Sequence, residues 1–113
     1  MIMINFDSTM PSIYWSDETR MSYLQRRIIV YSLLYYALSV SLVSDHEYDS
    51  ISRQLVEMKN KNPKAYTKTK YYYAMQDFDG STGFYIYKNL NKKDQEYLMM
   101  LAKVLKEQRG LKW

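Results

Sequence analysis

The sequence predicts a single α+β domain in which an antiparallel helical hairpin and a C-terminal helix pack on a small antiparallel β-hairpin. Three observations lead to this fold class. Apolar residues recur at three- and four-residue steps in three stretches, as on the buried faces of helices. Two tyrosine-rich, β-prone segments flank a run of turn-forming residues. The chain has 113 residues and no internal repeat, which is the size of one domain with a modest core.

The first helix is expected to follow an extended arm formed by residues 1–15, where Pro11 disfavours a helix. Ser16 is a suitable N-cap, and an acidic pair follows it at the positive end of the helix dipole. The helix should run from Asp17 to Ser39. Its apolar positions repeat at helical spacing and form a wide face, so we expect a central helix that is covered on more than one side.

A second helix is predicted to begin after Ser44, because Ser44 and Glu47 have the spacing of a capping box. The helix should end before Pro63. Only a short connection joins it to the first helix, so the two should lie antiparallel, as a helical hairpin over residues 16–60.

The segment 70–88 is predicted to form the β-hairpin. Its strands would be KYYYAMQ (70–76) and FYIYK (84–88), joined by the turn formers of DFDGSTG. Such a hairpin is marginal alone and must pack on the helices. A C-terminal helix over residues 91–110, with Asn91 as its N-cap, completes the predicted fold.

Composition excludes several classes of site. The chain has no cysteine and a single histidine, His46. Disulfides, thiol catalysis, histidine-based metal clusters and Ser-His-Asp triads are therefore ruled out, and we expect no metal ion. The N-terminus lacks the pattern of a signal peptide, and no apolar run is long enough to span a bilayer. The sequence thus predicts a cytoplasmic protein without a membrane partner.

Tyrosine is the unusual feature of the composition. The chain has 13 tyrosines and an aromatic fraction of 16%. Some of these rings must be partly exposed, and exposed tyrosine is favoured at binding surfaces. Alternatively, the bias reflects only an AT-rich genome, which supplies Tyr, Lys and Asn readily.

The stretch that most resembles a site is YYALSVSLVSDHEYD, at the tip of the predicted helical hairpin. Five side chains are candidates for binding a small aromatic ligand: Tyr35, Tyr36, Asp45, Tyr48 and Asp49. Helical spacing puts Asp45, Tyr48 and Asp49 on one face, so that rings can stack on a ligand and carboxylates can accept hydrogen bonds. The structural alternative is that the acids favour the helix dipole and that Tyr48 belongs to the core.

This stretch resembles the N-terminal nicotinamide-recognition domain (domain Ia) of bacterial NAD-dependent DNA ligases. The resemblance covers roughly residues 20–60, where Tyr35 and the later pattern Asp45-x-x-Tyr48-Asp49 match the domain at the same spacing. It implies that these residues bind the nicotinamide mononucleotide (NMN) half of NAD. Tyr36 stands where the ligases have histidine. The contact that this histidine makes is therefore either lost here or replaced by a contact with the tyrosine ring.

The resemblance does not extend to ligase catalysis. A ligase needs a Lys-x-Asp-Gly motif, and the nearest string here, Asp77-Phe78-Asp79-Gly80, has aspartate in the lysine position. We therefore expect no enzymatic activity and no catalytic residue. The second half of the chain is similar to small stand-alone, ligase-related phage and prophage proteins. The sequence thus favours a non-catalytic phage-type protein that binds NMN or NAD.

Two other functions remain open from the sequence. The chain is alternatively a phage counter-defence or regulatory protein that inhibits a host protein through its tyrosine-rich surface. The third hypothesis is nucleic-acid binding, since a basic run includes Lys59, Lys61, Lys64, Lys68 and Lys70 beside tyrosines. The formal net charge of +4 is compatible with such a partner.

Overall fold

The structure, a computed structural model, describes residues 15–41, 43–80, 83 and 85–108. These residues form six helices: α1 (Asp17–Tyr36), α2 (Asp45–Lys61), α3 (Pro63–Tyr66), α4 (Tyr72–Met75), α5 (Ile86–Asn89) and α6 (Lys92–Glu107). The predicted arm lies outside the described residues except for Trp15, and so does the predicted end of the last helix beyond residue 108. None of the helices in the described ranges is long and apolar enough to cross a membrane.

Helix α1 is the centre of the molecule, as its wide apolar face predicted. Its N-cap is Ser16, whose hydroxyl accepts from the Thr19 backbone N–H at 3.2 Å. Twelve of its residues are buried, among them Met21, Ile28 and Leu34. Helices α2 and α6 both pack against it. A helix covered on two sides needs this broad apolar surface, because a single stripe would bury only one contact.

Helices α1 and α2 form the predicted antiparallel hairpin. At one end, the Asn62 side-chain amide donates to the Asp17 carboxylate at 3.1 Å. At the other end, the hydroxyls of Ser32 and Tyr48 lie 3.1 Å apart. The start of each helix is thus beside the end of the other. Ser44 is the N-cap of α2, as predicted, and accepts from the Glu47 N–H at 3.0 Å.

The predicted β-hairpin, and with it the α+β fold class, is wrong. No strand occurs in the residues that the structure describes, and the two tyrosine-rich segments instead contain the short helices α4 and α5. The fold class is all-α. High β-propensity did not decide the outcome, because it measures how well a side chain packs on a half-buried surface rather than a fixed backbone preference.

Hydrogen bonds between the backbone of residues 70–76 and side chains of α1 and α3 explain why this segment is not a strand. The Lys70 N–H donates to the Ser22 hydroxyl at 3.0 Å, and the Tyr71 N–H donates to the Gln25 side-chain oxygen at 3.1 Å. The Met75 carbonyl accepts from the Tyr66 hydroxyl at 2.6 Å. Backbone groups that a partner strand would need are therefore satisfied by side chains, which removes the drive to form a ladder.

The last helix is confirmed over its described length. The Asn91 side chain accepts from the Asp94 N–H at 2.7 Å and caps α6, and Leu98 and Leu105 on its inner face are buried. The Tyr73 hydroxyl donates to the Asp94 carboxylate. This bond ties α4 to the first turn of α6, so the second half of the chain closes over α1 as one layer.

Two buried tyrosines beside α1 differ in how their hydroxyls are satisfied. Tyr66 and Tyr71 are each 1% exposed. Tyr66 donates to the Met75 carbonyl, whereas the Tyr71 hydroxyl has no hydrogen-bond partner within the described residues. Burial, reinforced by the nearby Asp94 charge, raises the pKa of Tyr71 to about 12. Burial also raises the pKa of Tyr66.

Replacing each of these tyrosines by phenylalanine should give opposite results. Tyr66→Phe leaves the buried Met75 carbonyl without its donor and should destabilise the fold by about 1–3 kcal/mol. Tyr71→Phe removes a buried hydroxyl without a partner, so it should be neutral or slightly stabilising near pH 7. Urea unfolding followed by circular dichroism measures both. An equal loss of unfolding free energy in the two variants would contradict the conclusion that the Tyr71 hydroxyl lacks a hydrogen-bond partner.

Stability should fall at high pH through the same residue. The phenol is neutral in both states below about pH 10, and above that the unfolded chain ionises first. Because the folded pKa is the higher one, the free energy of unfolding should decrease as pH rises from about 10 through 12. Urea unfolding at a series of alkaline pH values should show a smaller decrease for Tyr71→Phe than for the wild type. Equal decreases would show that Tyr71 contributes nothing.

Candidate functional site

A cavity of about 180 Å³ lies at the tip of the helical hairpin. Its walls come from the last turns of α1, from the connection, and from the first turn of α2. The lining residues are Tyr31, Ser32, Tyr35, Tyr36, Ser41, Val43, Asp45 and Tyr48. Four of the five side chains predicted from the sequence therefore surround one cavity, and the structure adds Tyr31, Ser32, Ser41 and Val43.

The connection between the helices forms the outer wall because the chain reverses tightly after α1. Ser39 adopts a left-handed conformation with φ of 56°, and the Val40 N–H donates back to the Leu34 carbonyl at 2.8 Å. This reversal brings Ser41 and Val43 over the end of α1. The Ser41 hydroxyl donates to the Val43 carbonyl at 2.8 Å, which fixes the outer wall locally.

Tyr35 and Tyr36 form the aromatic rim of the cavity. Their rings meet edge to face, with centroids 4.9 Å apart and an interplanar angle of 87°. They are 57% and 50% exposed, respectively. The edge of one ring therefore rests on the face of the other, and both rings remain about half exposed at the rim of the cavity.

Tyr48 lies deeper and is held through its hydroxyl. The Ser32 hydroxyl donates to the Ile28 carbonyl at 2.8 Å, so the Tyr48 hydroxyl is the donor in the 3.1 Å bond between the two side chains. Burial raises the pKa of Tyr48, and hydrogen bonds to Ser32 and to the Gly83 backbone offset part of that shift. Tyr48 is thus a neutral hydroxyl at physiological pH.

Gly83 reaches this pair from the second half of the chain. A Cβ atom at position 83 would lie 2.5 Å from the Ser32 hydroxyl oxygen and 2.9 Å from the Tyr48 hydroxyl oxygen. Only glycine allows the backbone to approach so closely. The glycines of DFDGSTG are the sequence signal for this contact, but their turn chemistry instead predicts a β-hairpin.

The two predicted carboxylates lie in different places. Both are exposed, but Asp45 lines the cavity, whereas Asp49 borders a separate shallow depression with Arg53 and Asp79. Helical spacing put both on one face, but residues one turn apart are about 6 Å apart along the axis. The cavity is short enough to include only the first of them.

The cavity is lined by aromatic rings and carries negative charge. Among the described residues that line it, Asp45 is the single charged one. Arg27 stands behind the wall, where its guanidinium donates to the Tyr31 hydroxyl at 3.2 Å and lies 3.8 Å from the Glu47 carboxylate. Tyrosine π-faces and a carboxylate without a lining cation suit a neutral or positively charged aromatic ring better than an anion.

A helical hairpin with an aromatic and acidic cavity at its tip has the geometry of a domain suited to a small aromatic ligand. Residues 15–70 match the family described as DNA ligase-like, N-terminal NAD+-binding domain. The resemblance found in the sequence is confirmed, and this segment belongs to that family. No curated protein and no solved structure matches the chain.

Gly83→Ala should disturb the Ser32–Tyr48 pair. The added methyl group forces these hydroxyls to move and should destabilise the protein by about 1–3 kcal/mol. Tyr48→Phe removes one of the crowded oxygens, so the effect of Gly83→Ala should be smaller in that background, with a coupling energy of about 0.5–3 kcal/mol. Urea unfolding of the wild type, both single variants and the double variant measures this coupling. Strictly additive effects would show that position 83 does not act through Tyr48.

Proposed function

We propose that this chain is a non-catalytic, cytoplasmic phage-type protein whose hairpin-tip cavity binds the nicotinamide end of NMN or NAD. The observation that carries the proposal is the lining of the cavity, where the described residues include tyrosine rings and Asp45 and no cationic side chain. Membership of residues 15–70 in the ligase-like NAD+-binding family supports the same ligand.

The cavity is large enough for one aromatic ring of the ligand but not for a whole dinucleotide. An engineered protein cavity of about 150 Å³ accepts benzene, so about 180 Å³ is room for one substituted six-membered ring. The ribose and phosphate would then extend past the exposed rim formed by Tyr35 and Tyr36 into solvent. The described residues that line the cavity include no Lys or Arg, which agrees with this orientation because these side chains are the usual charged partners of phosphate.

The chemistry of oxidised nicotinamide matches the cavity in two respects. Its pyridinium ring carries positive charge and is attracted to tyrosine faces, with an energy of about 0.5–2 kcal/mol depending on desolvation. Its carboxamide has N–H donors for the Asp45 carboxylate. The Tyr48 hydroxyl donates its proton to Ser32, so its oxygen at the inner wall can accept from the same carboxamide N–H groups.

The non-catalytic part of the proposal rests on the missing Lys-x-Asp-Gly motif, whose lysine accepts the adenylyl group in the ligases. No such string occurs in the sequence, and the nearest one, Asp77-Phe78-Asp79-Gly80, begins with an aspartate, which cannot form that phosphoramide. Binding without adenylyl transfer would suit a protein that senses or sequesters nicotinamide nucleotides, or that acts beside a ligase.

Isothermal titration with NMN tests the ligand and separates the two carboxylates. Asp45→Asn removes a charged acceptor inside the cavity and should weaken binding about 10- to 150-fold, which corresponds to about 1.5–3 kcal/mol. Asp49→Asn is the matched control, because Asp49 lies outside the cavity, and it should change binding less than about 3-fold. Absent binding, or equal loss in both variants, would overturn the proposal.

Nicotinic acid mononucleotide tests which end of the ligand enters the cavity. It replaces the carboxamide by a carboxylate, which would face Asp45 with like charge, and should bind at least about 10-fold more weakly than NMN. Asp45→Asn should reduce this preference. Equal affinity for the two nucleotides would mean that the pyridine ring lies elsewhere.

The alternative function is inhibition of a host protein by direct contact. The observation in its favour is the exposure of Tyr35 and Tyr36, since exposed tyrosines are frequent anchors of protein interfaces. A host protein that co-purifies with the wild type and is lost in a Tyr35→Ala/Tyr36→Ala variant, together with no response to NMN, would favour this alternative.

A further inference from the structure

The net positive charge of the chain comes from one segment. Residues 58–76 contain five lysines and no aspartate or glutamate. The chain as a whole has 16 basic and 12 acidic residues, so the remainder has 11 basic against 12 acidic ones. The entire basic excess therefore comes from this segment, which runs from the end of α2 through α3 to α4.

Four of these lysines are exposed and form no ion pair within the described residues. Lys61, Lys64, Lys68 and Lys70 are exposed, and in the described part of the chain no carboxylate lies within ion-pair distance of them. We call these four residues the basic corner. Lys59 differs, because its ammonium donates to the carbonyls of Gln76 and Phe78 at 3.0 and 3.1 Å and is engaged within the fold.

The backbone of the basic corner is fixed by hydrogen bonds. The Asn62 side chain accepts from the Ala65 N–H at 3.2 Å, and the Thr67 hydroxyl donates to the Lys64 carbonyl at 2.7 Å. The Lys70 N–H donates to Ser22 on α1. The lysine side chains therefore extend from a preorganised backbone, so that a ligand need not also order the backbone when it binds.

Exposed tyrosines adjoin the basic corner. The Lys70 ammonium lies 6.0 Å from the centre of the Tyr97 ring, and Tyr97 is 41% exposed. Tyr73, 40% exposed, is oriented by its hydrogen bond to Asp94. A phosphate on Lys70 would therefore place the neighbouring base within reach of the Tyr97 face.

We infer that the basic corner and Tyr97 bind single-stranded nucleic acid without sequence preference. Ammonium groups contact phosphates as point charges, and an exposed ring offers a stacking face to any unpaired base. Residues 58–76 contain no arginine, the residue that most often reads guanine edges, so base-specific contacts are not expected. This surface is separate from the hairpin-tip cavity and does not depend on nicotinamide binding.

Fluorescence anisotropy with a labelled oligodeoxythymidine of about 12 nucleotides tests this inference. The slope of the logarithm of the DNA-binding constant against the logarithm of the salt concentration reports phosphate contacts. A variant that lacks three lysines in contact with single-strand phosphates should have a slope smaller in magnitude by about 2. The test variant is Lys64→Gln/Lys68→Gln/Lys70→Gln. The matched control is Lys88→Gln/Lys103→Gln, two exposed lysines on α5 and α6, which should keep the wild-type slope. Absent binding, or equal slopes in both variants, would overturn the inference.

The stacking contribution is measured separately at low salt. Tyr97→Ala should weaken binding about 5- to 150-fold, in line with about 1–3 kcal/mol per stacked base. Tyr85→Ala, which removes another tyrosine that is 40% exposed, should have no effect. If Tyr97→Ala binds like the wild type and inorganic polyphosphate competes as well as the oligonucleotide, the corner binds polyanions in general, an acidic protein among them, and the nucleic-acid assignment is wrong.

Discussion

The buried side chain of Gln25 holds the two halves of the chain together. It is fully buried on α1, donates to the Thr69 hydroxyl at 2.8 Å and accepts from the Tyr71 N–H at 3.1 Å. Thr69 in turn donates to the Tyr66 carbonyl at 2.7 Å. A buried amide is tolerated only when its donors and acceptors are matched, and here the matching groups belong to the segment after α3. The path of that segment fixes both the basic corner and the return of the chain to Gly83.

The hairpin-tip cavity depends on that return as much as on the hairpin itself. Residues 15–70 belong to a family of NAD+-binding domains, and the lining side chains all lie within them. The Ser32–Tyr48 pair at the inner wall is nevertheless contacted by Gly83, beyond the matched segment. The second half of the chain therefore supports the orientation of Tyr48, a proposed ligand-binding residue that the first half supplies.

The two proposed ligand sites lie at opposite ends of α2. Asp45 is its first residue and Lys61 its last, and 17 residues at 1.5 Å each put them about 25 Å apart. The tip is aromatic and acidic, whereas the corner is basic. Electrostatic coupling over such a distance is largely screened at physiological salt, where the Debye length is about 8 Å. Each site can thus be altered without changing the ligand chemistry of the other.

The sequence by itself determined the three long helices and four of the eight described residues that line the tip cavity. Ser16, Ser44 and Asn91 mark helix starts through local capping bonds, and helical spacing placed Tyr48 beside Asp45, because these signals depend only on nearby residues. Tertiary structure alone decided that residues 70–76 contain a helical turn, that Gly83 touches Tyr48, and that Asp49 lies outside the cavity. These outcomes depend on partners distant in sequence. Gln25 and Ser22 satisfy backbone groups 46 and 48 residues away, and no local propensity reports such a bond.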